Sequence, residues 1–285
     1  MDSRDWQILK ILAEEKNITK AAARLYISQP ALTYRLKNIE EEFGTLIASR
    51  VPSGVIFTPQ GELLLAYANE MLLKYSATKE QINNMDNKVQ GTLRLGASAV
   101  FAHYALPALL KGFIERHPGV EISLKTGLSY QIIRMLEKQE ITVAIVRGEH
   151  GWEGEGFVLK EEPVCLVSRE ALAFDELLGK PHIRFSTDTS LQKMIDDWWR
   201  KNFKTAPHTT MEVNTMDIAR QMVLHGLGWT ILPAIGLPDI EALYTKPLLW
   251  PDGSPLLRKT WVLYSDEAHA LSTVRALLSY LKNGQ

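Results

Sequence analysis

Residues 17–33 read Asn17-Ile18-Thr19-Lys20-Ala21-Ala22-Ala23-Arg24-Leu25-Tyr26-Ile27-Ser28-Gln29-Pro30-Ala31-Leu32-Thr33. Asn17 or Thr19 starts a short helix of small and apolar residues, with Ala21, Ala22, Ala23 and Leu25 in sequence. Ser28-Gln29-Pro30 then opens a second helix. The serine can cap it, and proline in the first turn loses nothing because its missing N–H would be unpaired there anyway. Leu32, Leu36, Ile39 and Phe43 follow at i, i+4, i+7 and i+11, one apolar stripe of a helix that Gly44 ends. Upstream, Asp2 or Ser3 caps a helix with Trp6, Leu9 and Leu12 on one face. Two short helices joined by a tight turn make a helix-turn-helix. Within 46–57, Pro52-Ser53-Gly54 marks a turn between two apolar pieces, the pattern of a small hairpin or wing.

The second helix of the pair carries the chemistry. Pro30, Thr33, Tyr34 and Lys37 lie opposite the Leu32/Leu36/Ile39 stripe, and Gln29 sits beside the cap Ser28 at the free amino end. A glutamine amide can pair bidentately with adenine in the major groove. Thr33 and Lys37 are placed to reach phosphates, with Arg35, Arg50 and the turn residue Ser53 on the flanks. An ordinary polar helix face is the alternative. Residues 16–50 hold six basic and three acidic residues, the acids being Glu40, Glu41 and Glu42. So small an excess supports few phosphate contacts per chain, and a dimer would double them.

The segment after Thr58-Pro59 supplies a route to that dimer. Leu64, Ala68, Met71, Tyr75, Thr78, Ile82 and Met85 recur at intervals of 4, 3, 4, 3, 4 and 3. This heptad seam predicts a linker helix over 59–89 that pairs with a second copy. Its opposite face, Glu70, Lys74, Glu80, Asn84 and Asn87, reads as solvated. One long helix packing on its own domain is the alternative.

Composition bounds the rest. The chain has 285 residues, 46% hydrophobic and 23% charged, enough for two or three folding units and against wholesale disorder. Its 32 basic and 33 acidic residues nearly cancel, which leaves room for a local basic face. A single cysteine, Cys165, excludes an intrachain disulfide and a Cys-rich metal site. The start, MDSRDWQILK, lacks an apolar signal core, so a soluble cytoplasmic protein with no membrane partner is expected.

From Gly91 onward strands and helices alternate: strand 92–97, helix 106–116, strand 120–125, helix 130–140, strand 142–146. That βαβαβ order predicts a parallel sheet clothed by helices. A second lobe begins near Cys165, with strands 183–185, 210–213 and 229–232 and helices 191–201 and 216–225. Strand 261–264 and helix 272–282 complete the chain. The fold class is α/β with an all-α amino-terminal part. The expected division is 1–58 for the helix-turn-helix unit, 59–89 for the linker and 90–285 for a two-lobed α/β domain. Within the last, lobe I covers 90–160 and 265–285 and lobe II covers 161–264.

In such sheets ligands gather beyond the carboxyl ends of strands. Ser98, Ser129 and Arg147 stand there in the first lobe, and Ser186, Thr187, Thr189 and Ser190 in the second, with Thr215 before helix 216–225. Hydroxyls and free N–H groups suit an anion, and an arginine can grip a carboxylate in two-pronged fashion. Plain helix capping is the alternative for the hydroxyls, and a buried structural ion pair for Arg147. No catalytic residue, metal ligand or cofactor is assigned: no Gly-x-Ser-x-Gly elbow surrounds a serine, and Gly226-Leu227-Gly228 lacks the third glycine of a dinucleotide loop. A free-standing small-anion binding or transport protein is the alternative suggested by the two-lobed region alone.

The run 17–33, followed by Ile39-Glu40, Phe43-Gly44, Arg50 and Thr58-Pro59-Gln60-Gly61 before Leu63-Leu64, resembles the LysR-type transcriptional regulators. Ile47-Ala48-Ser49 and Tyr34 depart from the commoner family residues. The resemblance implies a winged helix-turn-helix on promoter DNA, a linker-helix homodimer that goes on to a homotetramer, and a two-lobed periplasmic-binding-protein-like domain that senses a small molecule. It also implies that Ser98, Ser129 and the Thr187 region line the effector cleft. Val146-Arg147-Gly148, Trp198-Trp199, Phe203-Lys204-Thr205 and residues 222–229 further resemble the citrate-responsive catabolite control group of Gram-positive bacteria, which implies citrate or a related carboxylate as effector.

Overall fold

The computed structural model describes residues 1–52, 54–83, 89–237 and 242–283. Three helices, α1 (Ser3–Glu15), α2 (Ile18–Arg24) and α3 (Gln29–Phe43), precede an antiparallel hairpin of β1 (Ala48–Val51) and β2 (Gly54–Phe57). Each helix has the cap its sequence offers. The carboxylate of Asp2 accepts from the Arg4 and Asp5 amides, the Asn17 side chain from the Lys20 amide at 3.0 Å, and the Ser28 hydroxyl from the Ala31 amide at 3.3 Å. Leu9, Leu12, Ala21, Leu32, Leu36 and Ile39 close one small core beneath the hairpin residues Ile47 and Val55. Phe43 differs from the expected stripe: it is 44% exposed, because α3 runs past the core in its last turn before Gly44, at φ +64°, reverses the chain. Ser53 lies outside the described residues.

The long helix α4 (Pro59–Asn83) is anchored to the hairpin by its first turn. The Thr58 hydroxyl donates to the Leu46 carbonyl at 2.6 Å and accepts from the Gly61 amide at 3.0 Å. A Cβ on Gly61 would collide with the Ile47 carbonyl, so this close approach requires glycine.

The heptad reading of α4 needs correction. Leu64 and Ala68 are buried in the amino-terminal core, while Tyr75 and Ile82 stand 54% and 59% exposed. On the side expected to be solvated, Leu73 and Ala77 pack into the core of the following lobe. Glu80 is buried there too. Its carboxylate accepts from the Ser272 hydroxyl at 2.9 Å and from the Thr273 amide and hydroxyl at 3.3 Å. Packing on its own domain therefore describes that face. Asn84, Met85 and Asn87 lie outside the described residues.

The remainder forms two lobes joined by long strands. It comprises β3 (Gly91–Ser98), α5 (Ala99–Tyr104), α6 (Leu106–Arg116), β4 (Val120–Gly127), α7 (Ser129–Glu137), β5 (Val143–Arg147), β6 (Glu155–Ser168), β7 (His182–Phe185), α8 (Thr189–Asn202), β8 (Thr209–Val213), α9 (Met216–Leu224), β9 (Thr230–Pro233), β10 (Tyr244–Pro247), β11 (Leu257–Tyr264), α10 (Asp266–His269) and α11 (Ser272–Asn283). β4, β3 and β5 are parallel neighbours. β11 runs antiparallel between β5 and β6, and the far half of β6 pairs with β9 and β10 in the second lobe. The strand expected at 261–264 with lobe II thus lies in the first-lobe sheet. β6 also starts ten residues before the expected Cys165, since Gly156 and Pro163 hide a strand that tolerates both. β7 and β8 form a separate parallel pair. The second-lobe core is built on Trp198 and Trp229, both almost fully buried. No helix among the described residues is long and apolar enough to cross a membrane.

Candidate functional site

Two sites emerge, one on α3 and one between the lobes. On α3 the caps and stripe turn Gln29, Pro30, Tyr34 and Lys37 outward, with Thr33 half-buried beside them. Lys37 reaches Glu41 at 3.4 Å, but both side chains are well exposed and such a pair holds it weakly. Arg50 is exposed on β1. Arg35 is not free for phosphate as expected: its guanidinium donates to Asp5 at 2.9 Å and to Asp2 at 3.3 Å, tying α3 to α1. Ser28 uses its hydroxyl as the α3 cap. Tyr26 escaped the sequence reading. It is 96% exposed at φ +56°, in the turn closed by Tyr26 and Ile27 amides on the Ala23 and Ala22 carbonyls. A large aromatic held in the left-handed region is the signal that could have found it.

Between the lobes lies a cavity of about 310 Å³, reached by the ends of β3, β4, β5 and β7 and by the amino termini of α7, α8 and α9. Ser98 closes β3. It is buried, makes no cap bond to α5, and its Oγ has no hydrogen-bond partner among the described residues. Capping therefore does not explain Ser98. Ser129 also lines the cavity, but its hydroxyl accepts from the Arg147 amide and donates to the Arg147 carbonyl, each at 3.2 Å. Thr187 lines the second-lobe side. Thr215 lines it too, while accepting from the Ile218 amide at 3.3 Å, so there the capping alternative applies. Thr189 is exposed and lies off the cavity wall, because Asp188 rather than a threonine takes the cap position of α8.

Arg147 is the largest departure. It is the last residue of β5, not a residue past the strand, and it is buried with its guanidinium on the Glu162 carboxylate of β6. Burial lowers its pKa to about 9, with the nearby Arg258 charge adding to the effect and Asp188 opposing it, so the group stays charged at neutral pH. The alternative of a structural ion pair is what the side chain makes. Beside it Arg258, 1% exposed on β11, donates to both Asp188 oxygens at 2.8 Å, to Ser190 Oγ at 2.8 Å and to the Arg147 carbonyl at 3.0 Å. One guanidinium thus joins the second-lobe helix cap to the first-lobe strand. Gly148, at φ +95°, must be glycine because a Cβ would strike Arg258 and Ser190. Burial works to raise the Asp188 pKa, yet Arg258 together with the Ser190 hydroxyl and Leu191 amide holds it below the usual range. A second inter-lobe bond runs from the Tyr104 hydroxyl to Asp217 at 2.6 Å; burial, then this bond, pushes the phenol pKa up. Neither Asp188 nor Arg258 was singled out in the sequence, where 70 positions separate them.

Comparison with known proteins agrees with this geometry. Residues 3–62 match the bacterial regulatory helix-turn-helix protein, lysR family, and residues 86–285 match the LysR substrate binding domain. The chain is 42% identical over 285 residues to the uncharacterized HTH-type transcriptional regulator YraN of Bacillus subtilis, covering 100% of this chain and 99% of that one. It is 34% identical to YkuM of the same organism, covering 99% and 97%. Among solved structures, full-length OxyR from Pseudomonas aeruginosa superposes with a TM-score of 0.74 at 19% identity, covering 99% of this chain and 98% of that one. CbnR complexed with its target DNA superposes with a TM-score of 0.63 at 16% identity, covering both chains fully. These likenesses extend over the helix-turn-helix as well as the lobes, which sets aside a free-standing anion-binding protein. The chain belongs to the LysR family, as a DNA-binding transcriptional regulator with an effector-binding domain.

Proposed function

We propose that the regulator responds to a small molecule with one anionic head, bound in the inter-lobe cavity against Ser98. The observation that carries this reading is the buried, unpartnered Ser98 Oγ on the cavity wall. The amino termini of α7 and α9 add N–H groups of favourable sign. Arg147 and Arg258 already hold Glu162 and Asp188, so among the described residues the cavity offers no open arginine or lysine for further carboxylates. This self-neutralised floor ranks a monocarboxylate above citrate, the effector that resemblance to the citrate-responsive group brings forward. Calorimetric titration of citrate and of two- to six-carbon mono- and dicarboxylates tests it. A ligand of this site is expected to bind about tenfold more weakly to Ser98→Ala, the loss of roughly one hydrogen bond to a charged group. Equal binding to both proteins moves the effector elsewhere.

On the DNA side, α3 enters the major groove with Gln29 at a base edge and Lys37 and Arg50 on phosphates. Promoter DNA is the partner, and the chain works in the cytoplasm as a homodimer through α4 and a homotetramer beyond it. Gln29→Ala is expected to weaken binding to the promoter fragment upstream of its own gene by about 1–3 kcal/mol while sparing a scrambled duplex. Fluorescence anisotropy at fixed salt measures both. Equal loss on the two duplexes removes the base-reading role.

A further inference from the structure

A second cavity, about 430 Å³, opens on the second lobe under α8 and is separated from the inter-lobe cavity by β7 and the start of α8. Its wall is aromatic. Trp199 stacks on Phe203, ring centroids 4.1 Å apart and 21° between planes, and behind it on Trp229 at 5.5 Å and 16°. His182 lies against Trp229 at 4.5 Å and is held through Nδ1 by the Thr209 hydroxyl at 2.9 Å. Burial, aided by the Arg184 charge, drops the His182 pKa to about 4, so this ring is neutral at physiological pH. Ile195 and Ile231 extend the apolar wall.

The rim has the opposite character. Arg184, Arg200 and Lys204 border the opening against one carboxylate, Asp196. Arg200 is shared with Asp197 at 2.5 Å, and Asp196 accepts from the Gln192 amide at 2.8 Å. Arg184 and Lys204 make no ion pair among the described residues, and both are exposed. A cavity of this size, with half-buried Phe203 on its wall and two cations at its mouth that make no ion pair among the described residues, matches a planar ring bearing one negative charge. We propose that it is a second ligand site, for an aromatic monocarboxylate, with the ring against Phe203, which Trp199 backs, and the carboxylate on Arg184 and Lys204.

Its position gives it a bearing on the first site. Phe185 borders both cavities, and α8 presents Leu191 to one and Gln192 to the other. β7 and the start of α8 therefore form a shared partition.

Isothermal titration of the full-length protein with 2-naphthoate tests the assignment, with decahydro-2-naphthoate and 2-naphthalenemethanol as controls for the aromatic ring and the charge. Saturable binding of 2-naphthoate at least tenfold tighter than either control is expected. It should weaken at least tenfold in the double variant Arg184→Ala, Lys204→Ala and stay within twofold in Ser98→Ala. Both replaced side chains are exposed, and Phe203→Leu gives a second, uncharged probe expected to weaken binding. Four results overturn the site: no saturable binding up to millimolar ligand, decahydro-2-naphthoate or the alcohol binding as tightly, unchanged binding in the double variant or in Phe203→Leu, or loss in Ser98→Ala with retention in the double variant, which would put the ligand between the lobes.

Discussion

Arg258→Leu is expected to destabilise the effector domain by about 3–5 kcal/mol, because it strips the partner from a charge that stays buried. Asp188 would keep its α8 cap bonds from Ser190 and Leu191 but lose both contacts to the guanidinium. The Arg147 carbonyl would lose a donor at the same time. Combining Arg258→Leu with Asp188→Ser, which keeps a capping oxygen without the charge, should recover most of the loss. The pH dependence has a definite sign. A carboxyl whose folded pKa is depressed stabilises fully above its ordinary value of 3.8 and loses that contribution as the pH falls through the folded value. The gap between wild type and Arg258→Leu should therefore narrow below pH 3.8. Urea unfolding of the wild type, the single variant and the double variant measures all three terms. A single variant as stable as wild type at neutral pH would deny the clamp its role.

The second large effect concerns assembly. Leu63, Tyr67, Tyr75 and Ile82 leave an exposed apolar stripe along α4, on the side away from the packed Leu73 and Ala77. Placing charge there, with Tyr75→Glu and Ile82→Glu together, is expected to convert the proposed dimer to a monomer without disturbing either core. A monomer has half the phosphate contacts, so the slope of log K against log salt should fall to about half, and promoter affinity by about a hundredfold or more as the second linked half is lost. Sedimentation velocity gives the oligomeric state, and anisotropy at several salt concentrations gives the slope. A double variant that remains dimeric would place the pairing surface elsewhere.

How far the sequence could be read depended on whether the deciding interaction was local. Caps such as Asn17 and Ser28 act within three residues, and Leu32, Leu36 and Ile39 report a face by spacing alone, so the helix-turn-helix was legible. The parallel order of β3, β4 and β5 followed from alternation and the chirality of crossovers. α5 was not legible, since six residues are too few to show a period. The site was half legible. Strand ends pointed to Ser98, Ser129 and Thr187, but whether a hydroxyl is free or engaged depends on distant atoms. Arg147 looked like an open anion grip because nothing local reveals Glu162 beside it. The heptad of α4 failed on one face for a similar reason: Glu80 is polar, and its partners lie more than 190 positions away.

That glutamate ties the linker helix to the start of the last helix, which makes this contact the natural pivot of α4 on the first lobe. From Glu80 back to Pro59 the helix rises about 1.5 Å per residue, an arm of roughly 30 Å. A tilt of about 6° at the pivot sweeps the far end through about 3 Å, close to the ~3.4 Å step between base pairs. In the proposed DNA-bound dimer, small angular play at the effector end is expected to shift the far end of α4 by about one base-pair step.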